Sequence, residues 1–88
     1  MKTLADAPKR RAVTVVAVDG DRSFRRRLME MGLVPGTKVS VISVAPLGDP
    51  LQIEVRRCRW SIRRGEAAQI RVAAIEETIV EASKKIAS

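Results

Sequence analysis

Short segments of the chain alternate between hydrophobic and polar residues, which is the pattern of half-buried β-strands. The alternation is cleanest where Leu51, Ile53 and Val55 face one side and the polar residues between them face the other. Further strands are predicted where apolar residues, many of them β-branched, recur, at residues 13–18, 38–45, 60–63 and 69–72. About five short strands predict a mainly β fold, a small barrel or sandwich, because one flat sheet would leave open edges and a wet face.

One segment between the first two strands has the period of a helix. Phe24, Leu28 and Met31 lie at positions i, i+4 and i+7, so they form one apolar stripe. The three arginines at 25–27 largely face away from that stripe. The sequence therefore predicts a single short amphipathic helix after the first strand.

Residues that favour caps and turns mark the ends of these elements. Asp21 or Ser23 can cap the N-terminus of the helix, and Gly32 stands where a left-handed C-terminal cap is required. Turns are predicted at residues 34–37, 46–50 and 57–59, and short helical turns at residues 3–7 and 65–68.

The inward positions of the strands and helix make up the predicted core. Its members are Val13, Val15, Phe24, Leu28, Met31, Val39, Val41, Leu51, Ile53, Val55, Trp60, Ile62, Ile70 and Val72. We expect a barrel domain over residues 1–72 and a C-terminal extension over residues 73–88. Apolar residues recur on one helical face of that extension, which favours a C-terminal helix. It docks on the barrel, docks on a partner or frays, and the sequence leaves these alternatives open.

The composition argues against catalysis and metal binding. The chain has no histidine and one cysteine, so it lacks the commonest general base, the commonest metal ligand and any intramolecular disulfide. No nucleophile–base pair and no glycine-rich phosphate loop is present, so we predict no catalytic residues, no metal ligands and no cofactor. No apolar run approaches the roughly 20 residues that cross a bilayer, and the N-terminus is unlike a secretory signal. We therefore expect a cytoplasmic protein.

The chain is strongly basic. Its 17 Lys and Arg residues against 10 Asp and Glu residues give a net charge of +7, which favours phosphates, anionic headgroups or an acidic protein surface as partners. Nucleic acid is one such partner, and small basic barrels do bind it. Proteins that bind single strands stack bases on exposed aromatic side chains. We predict that Phe24 and Trp60 both lie in the core, which makes nucleic acid the less favoured partner.

Three sequence motifs resemble those of one known family. The motifs are RRRLMEMGLVPG at residues 25–36, APLGDPL at residues 45–51 and RRGEAAQI at residues 63–70. In this order and spacing they are similar to the signatures of the FeoA family. The resemblance implies an SH3-like barrel with a helix between its first two strands. It also implies a cytosolic adaptor or regulator of ferrous iron uptake that binds the FeoB permease, which carries a GTP-binding domain, and that lies beside the inner membrane through this partner.

The sequence departs from the family pattern at two places. The extension at residues 73–88 is longer than the usual end of the family, and Trp60 stands where the family usually has an aliphatic residue. An SH3-like regulatory domain of the kind appended to iron-dependent repressors is a further alternative, although no DNA-reading domain precedes the barrel.

Two groups of residues are candidates for contact with a partner. One is the arginine run of the helix, and the other is the loop at 46–50, which two prolines stiffen before docking. The candidates are Arg25, Arg26, Arg27, Pro46, Leu47, Gly48, Asp49 and Pro50. The alternatives are a solvated helix face and a loop whose composition only meets its turn geometry. Five further arginines, at 56, 57, 59, 63 and 64, are expected to cluster on adjacent strands.

Overall fold

The structure, a computed structural model, describes residues 2–75. The elements are a short 3-10 helix and, in chain order, β1 (Val13–Val18), α1 (Arg22–Glu30), β2 (Lys38–Val44), β3 (Leu51–Val55), β4 (Cys58–Ile62), α2 (Arg64–Ala67) and β5 (Ile70–Ala74). The 3-10 helix spans Leu4–Asp6. The prediction of a mainly β fold with one helix after the first strand is confirmed. Within residues 2–75, no helix is both long enough and apolar enough to cross a membrane.

The strands form one antiparallel sheet in the order β4-β3-β2-β1-β5. Its pairing shifts by one residue in β1, between Val15 and Ala17, and in β2, between Val41 and Ser43. An extra residue of this kind bends a strand and increases its twist, which lets a small sheet coil around a core.

One hydrophobic core lies inside this coiled sheet, and every strand and both α-helices contribute to it. Its buried members are Leu4, Val13, Val15, Leu28, Leu33, Val39, Val41, Leu51, Ile53, Val55, Ile62, Ala67, Ile70 and Val72. Most of the predicted core is confirmed, because period-2 alternation in the strands places alternate residues inside. Phe24 and Met31 are only partly buried and pack against the edge of this cluster.

The prediction that Trp60 lies in the core is wrong. Its side chain is 38% exposed. Trp60 lies opposite Ile53 on β4, and β4 pairs with β3 alone in the described sheet. A residue on such an edge strand is covered by a neighbouring strand on one flank only, so its side chain keeps contact with solvent.

Helix α1 has well-defined caps at both ends. The side chain of Asp21 accepts a hydrogen bond from the Phe24 N–H at 2.8 Å. At the other end, Leu33 N–H donates to the Leu28 carbonyl at 2.9 Å and Gly32 N–H donates to the Met29 carbonyl at 3.0 Å. These paired bonds form a Schellman motif, which requires the left-handed conformation that Gly32 adopts at φ 93°.

The turn between β3 and β4 is one residue earlier and shorter than the sequence predicts. Val55 pairs directly with Cys58, so only Arg56 and Arg57 form the turn. Both adopt left-handed conformations, with φ of 49° and 69°. A two-residue turn of this type matches the twist of its strands, but its usual residues are Asn and Gly. Because two arginines occupy these positions, the sequence does not mark the turn at its actual place.

The N-terminal segment closes the sheet at two points. The Lys2 carbonyl accepts from Val72 N–H at 3.0 Å, and Arg10 N–H donates to the Val41 carbonyl at 2.7 Å. Between these bonds, Leu4 is completely buried. Its burial was not predicted, because one leucine in a short polar segment has no periodicity.

The far end of the sheet extends beyond the predicted domain boundary. β5 continues to Ala74, which pairs with Val13, so residues 73 and 74 belong to the sheet and not to the extension. The C-terminal helix predicted within residues 73–88 lies, apart from residues 73–75, outside the described part of the chain.

Candidate functional site

An open groove of about 670 Å³ lies between α1 and β4. Its apolar lining comes from Met31, Pro50, Trp60 and Ile62, and its charged lining from Arg27, Glu30, Arg63 and Glu66. We call it the Trp60 groove. An amphipathic aromatic side chain that is partly exposed among charged groups is a common anchor in protein interfaces.

One wall of the groove is fixed by an ion pair between α1 and α2. The Arg27 guanidinium donates to the Glu66 carboxylate, and it also lies 5.5 Å from the centroid of the Phe24 ring. Arg27 is therefore already occupied within the molecule. Of the arginine run, it is the least available for a partner.

Glu66 connects this ion pair to the start of α2. Its carboxylate accepts the Arg63 N–H at 2.9 Å, which is one half of a capping box. This backbone hydrogen bond lowers the pKa of Glu66 most, and the hydrogen bond and charge of Arg27 lower it further, while burial acts in the opposite direction. Glu66 thus stays ionised and holds α1, α2 and the groove wall together.

The loop at 46–50 is tied at its base and exposed at its tip. Gly48 N–H donates to the Ala45 carbonyl at 2.7 Å and Ala45 N–H donates to the Pro50 carbonyl at 3.0 Å. The N–H of Arg64 donates to the Asp49 carboxylate at 3.1 Å. Leu47 lies between these constraints and is 96% exposed. An apolar side chain so fully presented by a constrained loop is available to a partner.

The predicted candidates fall on separate surfaces. Pro50 and Arg27 line the Trp60 groove, whereas Pro46 and Gly48 line a different depression with Lys9. Arg25 and Arg26 lie on the outer face of α1, and they form no ion pair with any residue from 2 to 75.

The second arginine group is also dispersed. Arg56 and Arg57 form the hairpin turn, and Arg59 faces Glu54 at 3.6 Å. Arg63 lines the groove and Arg64 holds the loop at 46–50. The sequence placed these residues close in the chain, but the alternation of β4 and the start of α2 point them in different directions.

Sequence reasoning did not find the Trp60 groove. Trp60 and Met31 were placed in the core because each fits an apolar periodicity, and periodicity does not distinguish a core position from the edge of the core. The one available indication was that Trp60 stands where an aliphatic residue is usual. The argument against nucleic acid as a partner assumed that Phe24 and Trp60 are both buried, and the exposure of Trp60 removes that assumption.

The described residues offer little for a metal ion. Among residues 2–75, no three Cys, Asp or Glu side chains come close enough together to hold one.

Comparisons with known proteins identify the domain. The model of the FeoA domain matches residues 2–74. The chain is 41% identical over 58 residues to a Fe(2+) transport protein A/Fe(2+) transporter FeoB fusion protein of Porphyromonas gingivalis. That match covers 66% of this chain but only 7% of the length of the fusion protein.

Solved structures agree in fold. The FeoA protein of Chlorobium tepidum is 37% identical with a TM-score of 0.79, over 85% of this chain and 70% of that one. FeoA of Stenotrophomonas maltophilia, an SH3 domain protein solved in complex with zinc, is 31% identical with a TM-score of 0.71, over 81% of this chain and 88% of that one. The expected SH3-like fold is therefore confirmed. Because the family model spans nearly all of the described residues, the chain belongs to the FeoA family, whose domain serves ferrous iron transport.

Proposed function

We propose that this chain is a non-enzymatic, cytoplasmic adaptor that binds the cytosolic side of a FeoB-type permease and regulates ferrous iron uptake. The observation that carries the proposal is the Porphyromonas gingivalis relative, in which a FeoA-like segment and a FeoB transporter share one polypeptide. Fusion keeps two domains at a high effective concentration, which is useful when they act on each other.

The loop at 46–50 and the Trp60 groove supply the surface that the proposal needs. Leu47 is almost fully exposed, and Pro50 connects the loop to the groove that Trp60 lines. A loop tied by hydrogen bonds loses little conformational entropy when it docks. Exposed aromatic and apolar side chains on a rigid frame provide most of the binding energy in typical interfaces.

The absence of histidine supports the non-enzymatic part of the proposal. Of the side chains that act as general bases, the chain keeps carboxylates, lysines and the single thiol of Cys58. Within residues 2–75, Glu66 is the carboxylate whose pKa is clearly lowered, because Arg63 and Arg27 stabilise its ionised form. It is therefore arranged as a structural anion rather than as a base poised to accept a proton.

Binding to the permease tests the proposal. Leu47→Asp and Trp60→Ala are each compared with wild type in pull-downs with the cognate full-length permease in detergent. We expect each change to weaken binding at least tenfold, since each removes an exposed apolar anchor from the surface. Folding is checked by thermal unfolding. Leu47→Asp is expected to change the free energy of unfolding by no more than about 0.5 kcal/mol, because Leu47 is 96% exposed.

Val16→Asp is the matched control. Val16 is another exposed apolar residue, at 51% exposure, and it lies at the irregularity in β1. We expect this variant to bind the permease like wild type. If wild type does not bind, the proposed function is wrong; if all three variants bind equally well, the loop and groove are not the docking surface.

A further inference from the structure

The outer face of α1 carries charge that the rest of the described structure does not neutralise. Arg22, Arg25, Arg26 and Met29 line one shallow depression formed by α1 alone. At 3.6 residues per turn they fall within an arc of roughly 100°. The opposite side of the helix carries Phe24 and Met31, which pack against the core. Within residues 2–75, no other element lines this depression.

Three other arginines of the described chain differ in this respect, because each forms an ion pair. Arg27, Arg59 and Arg71 pair with Glu66, Glu54 and Asp19. Arg22, Arg25 and Arg26 form no ion pair within residues 2–75. Glu30, the acidic residue of α1, lines the Trp60 groove and not this face.

Arg56 extends this face beyond the end of the helix. A Cβ built on Gly32 would lie 3.6 Å from Cδ of Arg56, so the Arg56 side chain runs beside the turn that ends α1. Arg56 keeps this place at φ 49°, a left-handed conformation that residues other than glycine and asparagine rarely adopt. Arg22, Arg25, Arg26, Met29 and Arg56 together form what we call the arginine strip.

We propose that the arginine strip docks on an anionic membrane surface. The arginines bind lipid phosphates, for which the planar guanidinium is well suited. Met29 lines the same depression and is 62% exposed, and its flexible apolar side chain inserts among the headgroups. The contact orients the barrel on the membrane while the loop at 46–50 and the Trp60 groove are left for a protein partner.

The shape and composition of the strip favour lipid over other polyanions. It lies on the outer face of a single helix, without the second wall that a protein segment would fill. It contains no aromatic side chain on which a nucleic-acid base could stack. The expectation that a membrane lies nearby rests on the proposed function.

Vesicle co-sedimentation of the full chain tests the inference. Vesicles of phosphatidylcholine in which about one lipid in three is phosphatidylglycerol are compared with pure phosphatidylcholine vesicles. Both are measured at low and at physiological salt. We expect binding to the anionic vesicles only, weakening as salt rises. Arg25→Glu combined with Arg26→Glu should reduce vesicle affinity at least tenfold, because each basic residue near the surface contributes about fivefold.

Lys2→Glu combined with Lys9→Glu is the control with the same change in net charge. Both lysines are exposed on the N-terminal segment, away from α1. We expect less than a threefold loss of vesicle binding. Equal losses in the two double variants would show a general charge effect and overturn the inference.

A second variant separates binding from folding. Arg56→Asn with Arg57→Gly relieves the backbone strain of two arginines in left-handed conformations, so we expect a more stable protein. The same variant removes charge from the end of the strip, so we expect it to bind anionic vesicles several-fold more weakly. Unchanged binding to vesicles would contradict the proposal. So would affinity for random RNA above that for vesicles at equal salt.

The vesicles contain no permease, so this outcome is independent of the proposed function. If the variant with both Arg25→Glu and Arg26→Glu no longer binds detergent-solubilised permease but still binds vesicles, the strip is a protein contact and the inference is wrong.

Discussion

At the scale of single residues, arginines of similar sequence context have different roles. Arg27 is the neighbour of Arg26 in an uninterrupted run, yet Arg27 is paired with Glu66 and Arg26 faces solvent. The difference follows from the 100° between successive residues of a helix. Tertiary packing, by contrast, places Arg56 of the β3–β4 turn beside Gly32 although they are distant in sequence.

Glu66 gives a pH-dependent prediction. Its pKa is lower in the folded protein than its ordinary value of 4.5. Such a carboxyl stabilises the fold above the unfolded pKa, and this contribution is lost as pH falls through the folded pKa. We therefore expect Glu66→Gln, which keeps the capping hydrogen bond but not the charge, to destabilise the protein at pH 7 and to have a smaller effect near pH 3.

Glu66→Ala is the companion variant. It removes the cap as well as the charge, so we expect a loss of about 1 kcal/mol at pH 7, and a part of this loss should persist in acid. Urea unfolding at both pH values measures these differences. A loss for Glu66→Gln that is as large at pH 3 as at pH 7 would contradict the assigned ion pair.

The hairpin arginines give a second prediction at this scale. Replacing Arg56 by Asn and Arg57 by Gly should stabilise the protein by about 1–2 kcal/mol, because both positions have positive φ and the new residues adopt it with less strain. Thermal unfolding measures the gain. Arg56→Ala with Arg57→Ala removes the same charges without suiting the turn, and it should not produce the gain.

At the scale of elements, alternation and helical period predicted most of the architecture. The five strands, the helix with its Asp21 cap and the Gly32 C-cap all follow from local sequence chemistry. The errors occur where tertiary neighbours decide. Trp60 has the spacing of a core residue but lies on an edge strand, and the Arg56-Arg57 turn lacks the residues that usually mark its type.

The N-terminal segment is an element whose contribution the sequence did not reveal. Leu4 is completely buried although only a 3-10 helix carries it. Leu4→Ala should therefore destabilise the protein by about 2–4 kcal/mol, as expected for a large buried side chain. Chemical denaturation measures this loss. Val16→Ala, at an exposed position, should change stability by no more than about 0.5 kcal/mol.

At the scale of the whole molecule, the barrel presents different chemistry on different surfaces. The loop at 46–50 and the Trp60 groove offer apolar anchors, while the arginine strip offers charge with no acidic partner in the described residues. The sequence predicted the loop and the arginine run as candidates but not their separation. Only the position of α1 across the groove from β4, together with its ion pair to α2, shows that Arg27 belongs to the groove wall and Arg25 and Arg26 to the strip.

The central claim is that this FeoA-family chain binds a FeoB-type permease through the loop and the Trp60 groove. Trp60 is the only tryptophan of the chain, so 5-fluorotryptophan labelling gives a single ¹⁹F resonance inside the groove. We expect saturable shift or broadening of this resonance when permease in nanodiscs is added, and no such change for Leu47→Asp. A resonance unaltered by saturating permease would contradict the account.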